Sequence, residues 1–151
     1  WEAAQNLARL SAGDELVAWD KLAASEKVKS VKDVLVKYRA MIEVAQSCKA
    51  SAECYTKHIG GADIVKAEKA AWELGRLAKG GASEAGLLQG LKSANVTLRR
   101  VAISSLYKVG TKGGVAEIDK IIEAEKGRKT PEFKDLHFKM RALRAFLVNN
   151  G

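Results

Sequence analysis

Residues 70–77 read AAWELGRL, and this stretch decides the fold. Residues 3–10, AAQNLARL, match it at five of eight positions. Residues 102–109, AISSLYKV, begin 32 residues after residue 70 and keep the order of small, leucine, basic and apolar side chains. Each copy places small and apolar residues at i, i+1, i+4 and i+7, which is one face of an α-helix. A period of this length predicts stacked helical repeats.

A shorter amphipathic stretch follows two of these copies, at residues 85–91 and 115–122. Glycine-containing turns separate the two stretches of each pair, KGG at residues 79–81 and GTKGG at residues 110–114. Glycine readily adopts the left-handed geometry that ends many helices, so we expect it in both turns. The predicted repeat unit is therefore a helix, a glycine turn and a second helix.

Short polar residues mark where the repeats begin. Asp63 and Asn95 each precede the first helix of a pair, where a side-chain acceptor can bond free backbone N–H groups. Pro131 suits the first turn of a new helix, after a longer connection at residues 126–132. The predicted helices lie near residues 1–10, 14–25, 30–48, 52–60, 64–79, 83–92, 96–109, 114–127 and 132–149.

The composition indicates a single all-α domain. Of the 151 residues, 47% are hydrophobic, 6% are aromatic and one is proline, which favours helix over sheet. No apolar run approaches the roughly 18 residues that a membrane-spanning helix needs. The chain opens at Trp1 inside a helical pattern, without an initiator methionine. We therefore expect one domain over residues 1–151 that is a mature form or a fragment of a longer protein.

Two stretches, LRRVA at residues 98–102 and KAAWELGRL at residues 69–77, resemble the HEAT-repeat family. First helices in that family carry a valine- or leucine-arginine, paired-alanine, leucine-glycine pattern. The resemblance covers almost the whole chain, although residues 11–63 depart from the pattern. It implies a right-handed α-solenoid of about four to five antiparallel helix pairs. Family members are mostly scaffolds and adaptors whose second helices form extended surfaces, and a minority act on nucleic acid or modify cofactors.

Motifs for enzyme chemistry are missing from the sequence. His58 and His137 are the two histidines, and neither lies in a His-Glu-x-x-His motif. The glycine turn at residues 110–114 lacks the Gly-Lys-Ser/Thr ending of a phosphate-binding loop. We therefore expect no catalytic residue, no metal site, no cofactor and no small-molecule substrate.

Cys48 and Cys54 form a candidate disulfide. In one continuous helix, residues six apart lie roughly 9 Å apart along the axis, which is too far to bridge. Residues 49–53 instead read as a turn, with Ser51 available as a cap, and a turn would bring the sulfurs together. The alternative is two buried free thiols. A disulfide would indicate an oxidising location, such as the bacterial periplasm or another extracytoplasmic compartment, whereas free thiols fit the cytoplasm.

Positive charge is concentrated in the second part of the chain. Residues 1–63 hold nine basic and nine acidic side chains, and residues 64–151 hold seventeen against nine, so the whole net charge of +8 lies there. This asymmetry fits either an anionic partner or a solvated surface. Arg99 is left out of the candidates for binding an anionic partner, because the corresponding position in the HEAT-repeat family often bonds an adjoining repeat. The candidate residues for an anionic partner are Lys92, Arg100, Lys112, Lys126, Arg128, Lys129, Arg141 and Arg144.

The favoured function is a non-catalytic scaffold or adaptor that binds another protein. Its surface would be lined by residues 83–92 and 114–127, and the basic end would attract the partner. The alternative is a HEAT-like nucleic-acid-binding protein that binds through charge and is related to base-repair proteins. Glu84 and Glu117 argue against it, because they make the helices of the concave surface, residues 83–92 and 114–127, too acidic. A third function, a cofactor-lyase-type enzyme, would need a histidine or acid in a cleft.

Overall fold

A computed structural model describes residues 2–151, and that part of the chain is helical, with nine α-helices and no strand. All nine predicted helices are present, although Trp1, which the prediction includes in the first of them, lies outside the described residues. None of the described helices is long and apolar enough to cross a membrane. The helices are α1 Glu2–Leu10, α2 Leu16–Ser25, α3 Lys29–Cys48, α4 Ala52–Ile59, α5 Ile64–Leu74, α6 Gly81–Gly90, α7 Val96–Val109, α8 Val115–Ala124 and α9 Pro131–Asn150, with a 3-10 turn at Lys112–Gly114.

The chain divides into two compact units, one ending at Ser51 and the other beginning at Ala52. The sequence predicts a single repeat domain, and most of the stretch that departs from the repeat pattern lies in the first unit. In that unit α1 and α2 both pack on α3. Trp19 of α2 is buried, and its indole Nε1 donates a hydrogen bond to the Leu35 carbonyl of α3 at 2.7 Å. Gly13 joins α1 to α2 with a φ of 106°, and its backbone lies against that of Gln46.

In the second unit, helices contact their second neighbours along the chain. Helix α5 packs on α7 and α7 packs on α9, while α4 packs on α6. On the repeated small and apolar helix face, Ala70 and Leu74 of α5, with Ala102 and Leu106 of α7, are fully buried. Leu77, at the i+7 position of the same pattern, is only half-buried, and α5 ends at Leu74 rather than near residue 79 as predicted.

A close helix contact accompanies this early end of α5. A Cβ atom on Gly75 would lie 2.5 Å from the Ser105 hydroxyl and 3.0 Å from the Ser105 Cα of α7. The Ser105 hydroxyl donates to the Ala71 carbonyl at 2.8 Å, so α7 approaches the last turn of α5 closely. Sequence periodicity continues through residue 77 without showing this contact.

The predicted caps are confirmed. The Asp63 carboxylate accepts from the backbone N–H groups of Val65 and Lys66 at 3.0 and 3.1 Å, and the Asn95 side chain accepts from that of Leu98 at 2.9 Å. Both side chains thereby satisfy donors at a helix start. Pro131 occupies the first turn of α9, as predicted.

The two glycine turns differ. Gly80 and Gly81 have φ values of 75° and 55°, as predicted for the first turn. The prediction was wrong for the second turn, since Gly110 has φ −69° and extended backbone, and no glycine at residues 110–114 has positive φ. Gly110 is needed for space instead, because its Cβ would lie 2.9 Å from the Leu147 side chain of α9.

Candidate functional site

A basic depression lies where the connection after α8 meets the first half of α9. Its volume is about 320 Å³. Among the described residues, no carboxylate lines it. The lining residues are Lys126, Arg128, Lys129, Lys134, His137, Phe138 and Arg141.

Helix geometry explains how α9 contributes to this depression. Lys134, Phe138 and Arg141 are spaced i, i+4 and i+7, which places them on one face of the helix. The buried residues Leu136 and Met140 lie on the face that packs in the core. Positive charge from α9 therefore faces the positive charge of the connection at residues 126–130.

A buried ion pair supports the connection from behind. Arg99 of α7 is only 1% exposed, and its two terminal nitrogens donate to the Glu125 carboxylate at 2.8 and 2.5 Å. Glu125 is the residue directly after α8, the second helix of the same predicted pair, so this bond lies within one pair and is not the expected bond to an adjoining repeat. The arrangement fixes the point at which the chain leaves α8.

Three further side chains surround Glu125. Arg128 lies 3.6 Å and the His137 Nε2 atom 3.7 Å from its carboxylate oxygens. The guanidinium groups of Arg99 and Arg128 each lie over the Phe133 ring, 5.5 and 4.5 Å from its centroid. Such contacts are favourable because a cation is attracted to the face of an aromatic ring. Arg128 is therefore held in place at the wall of the depression.

The charge of Glu125 follows from this environment. Burial alone would raise the pKa of this carboxyl, but hydrogen bonds and charge from Arg99, with added charge from Arg128 and His137, lower its pKa below the ordinary value. Glu125 is therefore ionised at neutral pH and balances the buried guanidinium of Arg99.

The structure brings four of the eight candidate residues together at the depression, namely Lys126, Arg128, Lys129 and Arg141. Lys126 also contacts Glu123 at 3.2 Å, in a pair that is largely exposed on both sides. Within residues 2–151, neither Lys129 nor Arg141 forms an ion pair with a carboxylate. These side chains leave their charge available to a partner.

The other four candidates lie outside the depression. Arg100 binds Asp135 at 2.9 Å and Lys92 binds Glu117 at 2.5 Å. Arg144 donates to Asp119 at 2.7 and 3.2 Å. These pairs join neighbouring helices and neutralise the three candidates. Lys112 is exposed in the turn before α8.

Three residues of the depression are not among the candidates from the sequence: Lys134, His137 and Phe138. The available signal was the spacing of Lys134 and Phe138 with Arg141 along one helix. Phe138 is 73% exposed, although a phenylalanine in an amphipathic helix is ordinarily expected in the core. Its position depends on the rotation of α9 about its axis, which the sequence pattern did not reveal.

The predicted contact surface on α6 and α8 has a different character. A second depression of about 300 Å³ lies along α8. Glu117 in it binds both Lys92 and Lys120, at 2.5 and 3.4 Å, and these two lysines hold the pKa of Glu117 below its usual range. Its residues are Lys92, Glu117, Lys120, Ile121, Ala124 and Glu125. Charge is therefore largely balanced on this surface.

An apolar cavity of about 310 Å³ lies in the first unit. Leu7 and Leu10 on its rim are 56% and 66% exposed, and Trp19 forms part of its wall. Ser11 and Glu15 are its polar members, and the Ser11 hydroxyl donates to the Glu15 carboxylate at 2.5 Å.

Both cysteines are disulfide-bonded, and Cys48 and Cys54 lie at disulfide distance from each other. Their placement is the one that the predicted disulfide requires. The connection is the predicted turn, since α3 ends at Cys48 and α4 begins at Ala52. A ring nitrogen of His58 lies within 4.8 Å of both sulfurs, and these three groups could hold a metal ion only with the cysteines reduced to thiolates.

No protein-family model, curated protein or solved structure matches this chain. The resemblance to the HEAT-repeat family therefore stays a prediction from the sequence.

Proposed function

We propose that this chain is a non-catalytic interaction module, a HEAT-like scaffold that binds another protein. The packing of α5 on α7 and α7 on α9, with α4 on α6, supports this architecture, because repeat proteins stack equivalent helices in this way. The proposed arrangement is a right-handed solenoid of about four to five helix pairs. Such repeats present long surfaces that suit macromolecular partners.

The basic depression is the observation that carries the proposal. No carboxylate lines it among the described residues, and Lys129 and Arg141 form no ion pair there, although Lys126 and Arg128 contact Glu123 and Glu125. Lys92, Arg100 and Arg144 are instead each paired with a carboxylate of a neighbouring helix. Like charges placed together repel, so a partner with negative charge is favoured there. The balanced surface of α6 and α8 then supplies contact area while the basic end attracts the partner.

The disulfide supports a location outside the reducing cytoplasm. We propose the periplasm or another extracytoplasmic compartment. The test is the intact mass of protein freshly purified from its native host, alkylated with and without prior reduction. A disulfide in the native protein leaves both cysteines unmodified until reduction. Two alkylated cysteines without reduction would contradict the proposed location and favour the cytoplasm.

A nucleic-acid-binding protein is the second candidate. The observation in its favour is the exposed Phe138 ring among cations, since bases stack on aromatic side chains beside basic residues. The disulfide argues against it, because an oxidising compartment ordinarily lacks nucleic-acid partners.

Charge-driven association can be measured with poly-L-glutamate as a model acidic polypeptide. Replacing Lys126, Arg128 and Lys129 by glutamine should slow association at low salt and matter little at 1 M salt, where the screening length is roughly 3 Å. The effect should fall on the on-rate, because exposed charges steer the encounter.

The matched control replaces three exposed lysines of the first unit, Lys21, Lys27 and Lys32, by glutamine. It changes the net charge equally and should slow association less. An association rate that responds neither to salt nor to the triple substitution would identify the cluster as a solubilising surface. Equal effects of the two triple variants would show that net charge, and not the depression, governs binding.

A further inference from the structure

We infer that the basic depression recognises an acidic protein segment that carries an apolar side chain, and that Phe138 is the contact for that side chain. The inference rests on the proposed function, because it names the chemistry of the partner at the same site. It adds an apolar contact to a site that charge alone would define.

The exposure of Phe138 is the first observation. Four other residues of α9, Leu136, Met140, Leu143 and Leu147, are fully buried and supply its packing face. Phe138 is 73% exposed and lies outside that face. The Phe138 ring is therefore not required for the core of the unit, and its exposed surface is available for contact.

The position of Phe138 among cations is the second observation. Lys134 and Arg141 lie on the same helical face, one on either side of Phe138 along α9. Lys126 and Lys129 come from the connection before the helix. An aromatic centre within a polar, charged rim is the usual composition of a protein-binding hot spot.

This arrangement determines the chemistry of the ligand. Carboxylates of the partner can pair with the lysines and with the planar guanidinium of Arg141, which binds two oxygens at once. An apolar side chain between those carboxylates would cover the Phe138 ring and exclude water from the ion pairs. A depression of about 320 Å³ accommodates a few side chains, so a short acidic segment fits it.

Single-stranded nucleic acid fits these observations less well. Binding of successive bases uses several aromatic side chains along a basic groove. Among the described residues, Phe138 is the one exposed aromatic ring that lines this depression, because the His137 ring is only 14% exposed. The Phe146 ring, further along α9, is packed against Tyr107 with the ring centroids 5.1 Å apart.

The experiment compares two fluorescent peptides of equal charge with oligothymidylate. One peptide has a leucine between two pairs of glutamates, and the other has serine at that position. Affinities are measured by fluorescence anisotropy at low salt. The intact protein should bind the leucine peptide more tightly than the serine peptide, and both more tightly than an oligothymidylate of the same charge.

The variant Phe138→Ala should weaken binding of the leucine peptide about tenfold, as expected for truncating a hot-spot side chain, and leave the serine peptide unchanged. Phe146→Ala is the matched control, since it removes a partly exposed phenylalanine from the same helix outside the depression. It should change neither affinity. Thermal unfolding of both variants checks that the fold is retained, and Phe138→Ala should retain it because the ring is exposed.

A double variant, Lys134→Gln with Arg141→Gln, separates this inference from the proposed function. It should weaken both peptides, because it removes charge that both use. Equal binding of the two peptides, with Phe138→Ala silent and the double variant weak, would overturn the apolar contact and leave the acidic-partner proposal standing. Failure of both peptides to bind would overturn both proposals. Tighter binding of oligothymidylate that depends on Phe138 would replace the acidic segment by nucleic acid.

Discussion

Each of the two units contains an arginine that donates two hydrogen bonds to a carboxylate on another element. In the first unit Arg39 of α3 donates to Asp20 of α2 at 2.6 and 3.0 Å, and it also contacts Glu43. In the second unit Arg99 donates to Glu125 at 2.8 and 2.5 Å. The geometry is similar, but Arg39 and Asp20 are 36% and 45% exposed, whereas Arg99 and Glu125 are 1% and 14% exposed.

This difference in burial changes what each pair does. Water competes with the exposed pair, so Arg39 and Asp20 contribute little net stability. A hydrogen bond with Arg39 lowers the pKa of Asp20, but both groups remain hydrated. The buried pair cannot exchange its partner for water, so Arg99 and Glu125 depend on each other. Glu125 begins the connection that forms the basic depression, so this pair also supports the candidate site.

The apolar side chains of the two units differ in exposure in the same way as the ion pairs, since those of the first unit are more exposed. Leu10 and Val17 of the first unit are both 66% exposed. In the second unit the repeated alanines and leucines of α5 and α7 are fully buried. The same helical signals in the sequence therefore accompany dense packing in the second unit and a more open apolar surface in the first.

The largest effect is expected from breaking the buried ion pair. Arg99→Met should destabilise the protein by about 3–5 kcal/mol, the usual cost of removing one partner from a buried ion pair. Arg39→Met, the matched change in the first unit, should have little effect because its carboxylate partner is hydrated. Urea unfolding followed by circular dichroism measures both. Equal losses in the two variants would show that burial does not distinguish the pairs.

Leucine truncation tests the contrast in packing. Leu74→Ala should cost about 2–5 kcal/mol, because it leaves a cavity in a fully buried site. Leu10→Ala in the first unit should stay within about 0.5 kcal/mol, since that side chain is mostly exposed. Melting temperatures of the two variants provide the comparison. A melting temperature of Leu74→Ala within error of the parent would place this leucine outside the core.

Local signals in the sequence predicted the positions of all nine helices. Asp63, Asn95 and Pro131 act within one turn of their own position, so they can be recognised without knowledge of the fold. The early end of α5 could not be predicted, because it accompanies the close approach of Ser105 to Gly75 from another helix. Tertiary contact, not propensity, therefore limits the prediction of helix ends.

The candidate site could be predicted only in part, for the same reason. A count of charges located the basic part of the chain, but it could not show which cations are neutralised. Arg100 and Arg144 pair with Asp135 and Asp119, which are 35 and 25 residues away in sequence. The exposure of Phe138 likewise depends on how α9 is rotated against its neighbours.

A smaller loss of stability is expected when a side chain is added at Gly75 of the second unit. Gly75→Ala should cost about 1–3 kcal/mol, because a Cβ atom would lie within 3.0 Å of Ser105 and force the helices apart. Gly127→Ala is the control, since a Cβ there meets nothing within 4 Å. It should change stability little. If Gly75→Ala were as stable as Gly127→Ala, the close approach of α5 and α7 would be wrong.

The smallest expected effect is the change with pH in the stability that the buried pair of Arg99 and Glu125 contributes. The pKa of Glu125 is lower in the folded protein than its ordinary value of 4.5, because the favourable contacts with Arg99 outweigh the effect of burial. The folded state therefore binds fewer protons than the unfolded state around this pH, so the contribution is fully present above the ordinary pKa of glutamate. It is lost as the pH falls through the lower pKa of the folded protein.

Glu125→Gln removes this titration. The free energy of unfolding of the parent should therefore exceed that of Glu125→Gln at pH 7, and the difference should shrink as the pH falls below the ordinary pKa of 4.5. Asp20→Asn makes the corresponding change in the exposed pair, and its difference from the parent should be small throughout. Urea unfolding at several pH values between 7 and 3 measures both. A constant difference for Glu125→Gln across that range would mean that its effect is steric and that the charge of Glu125 does not stabilise the connection.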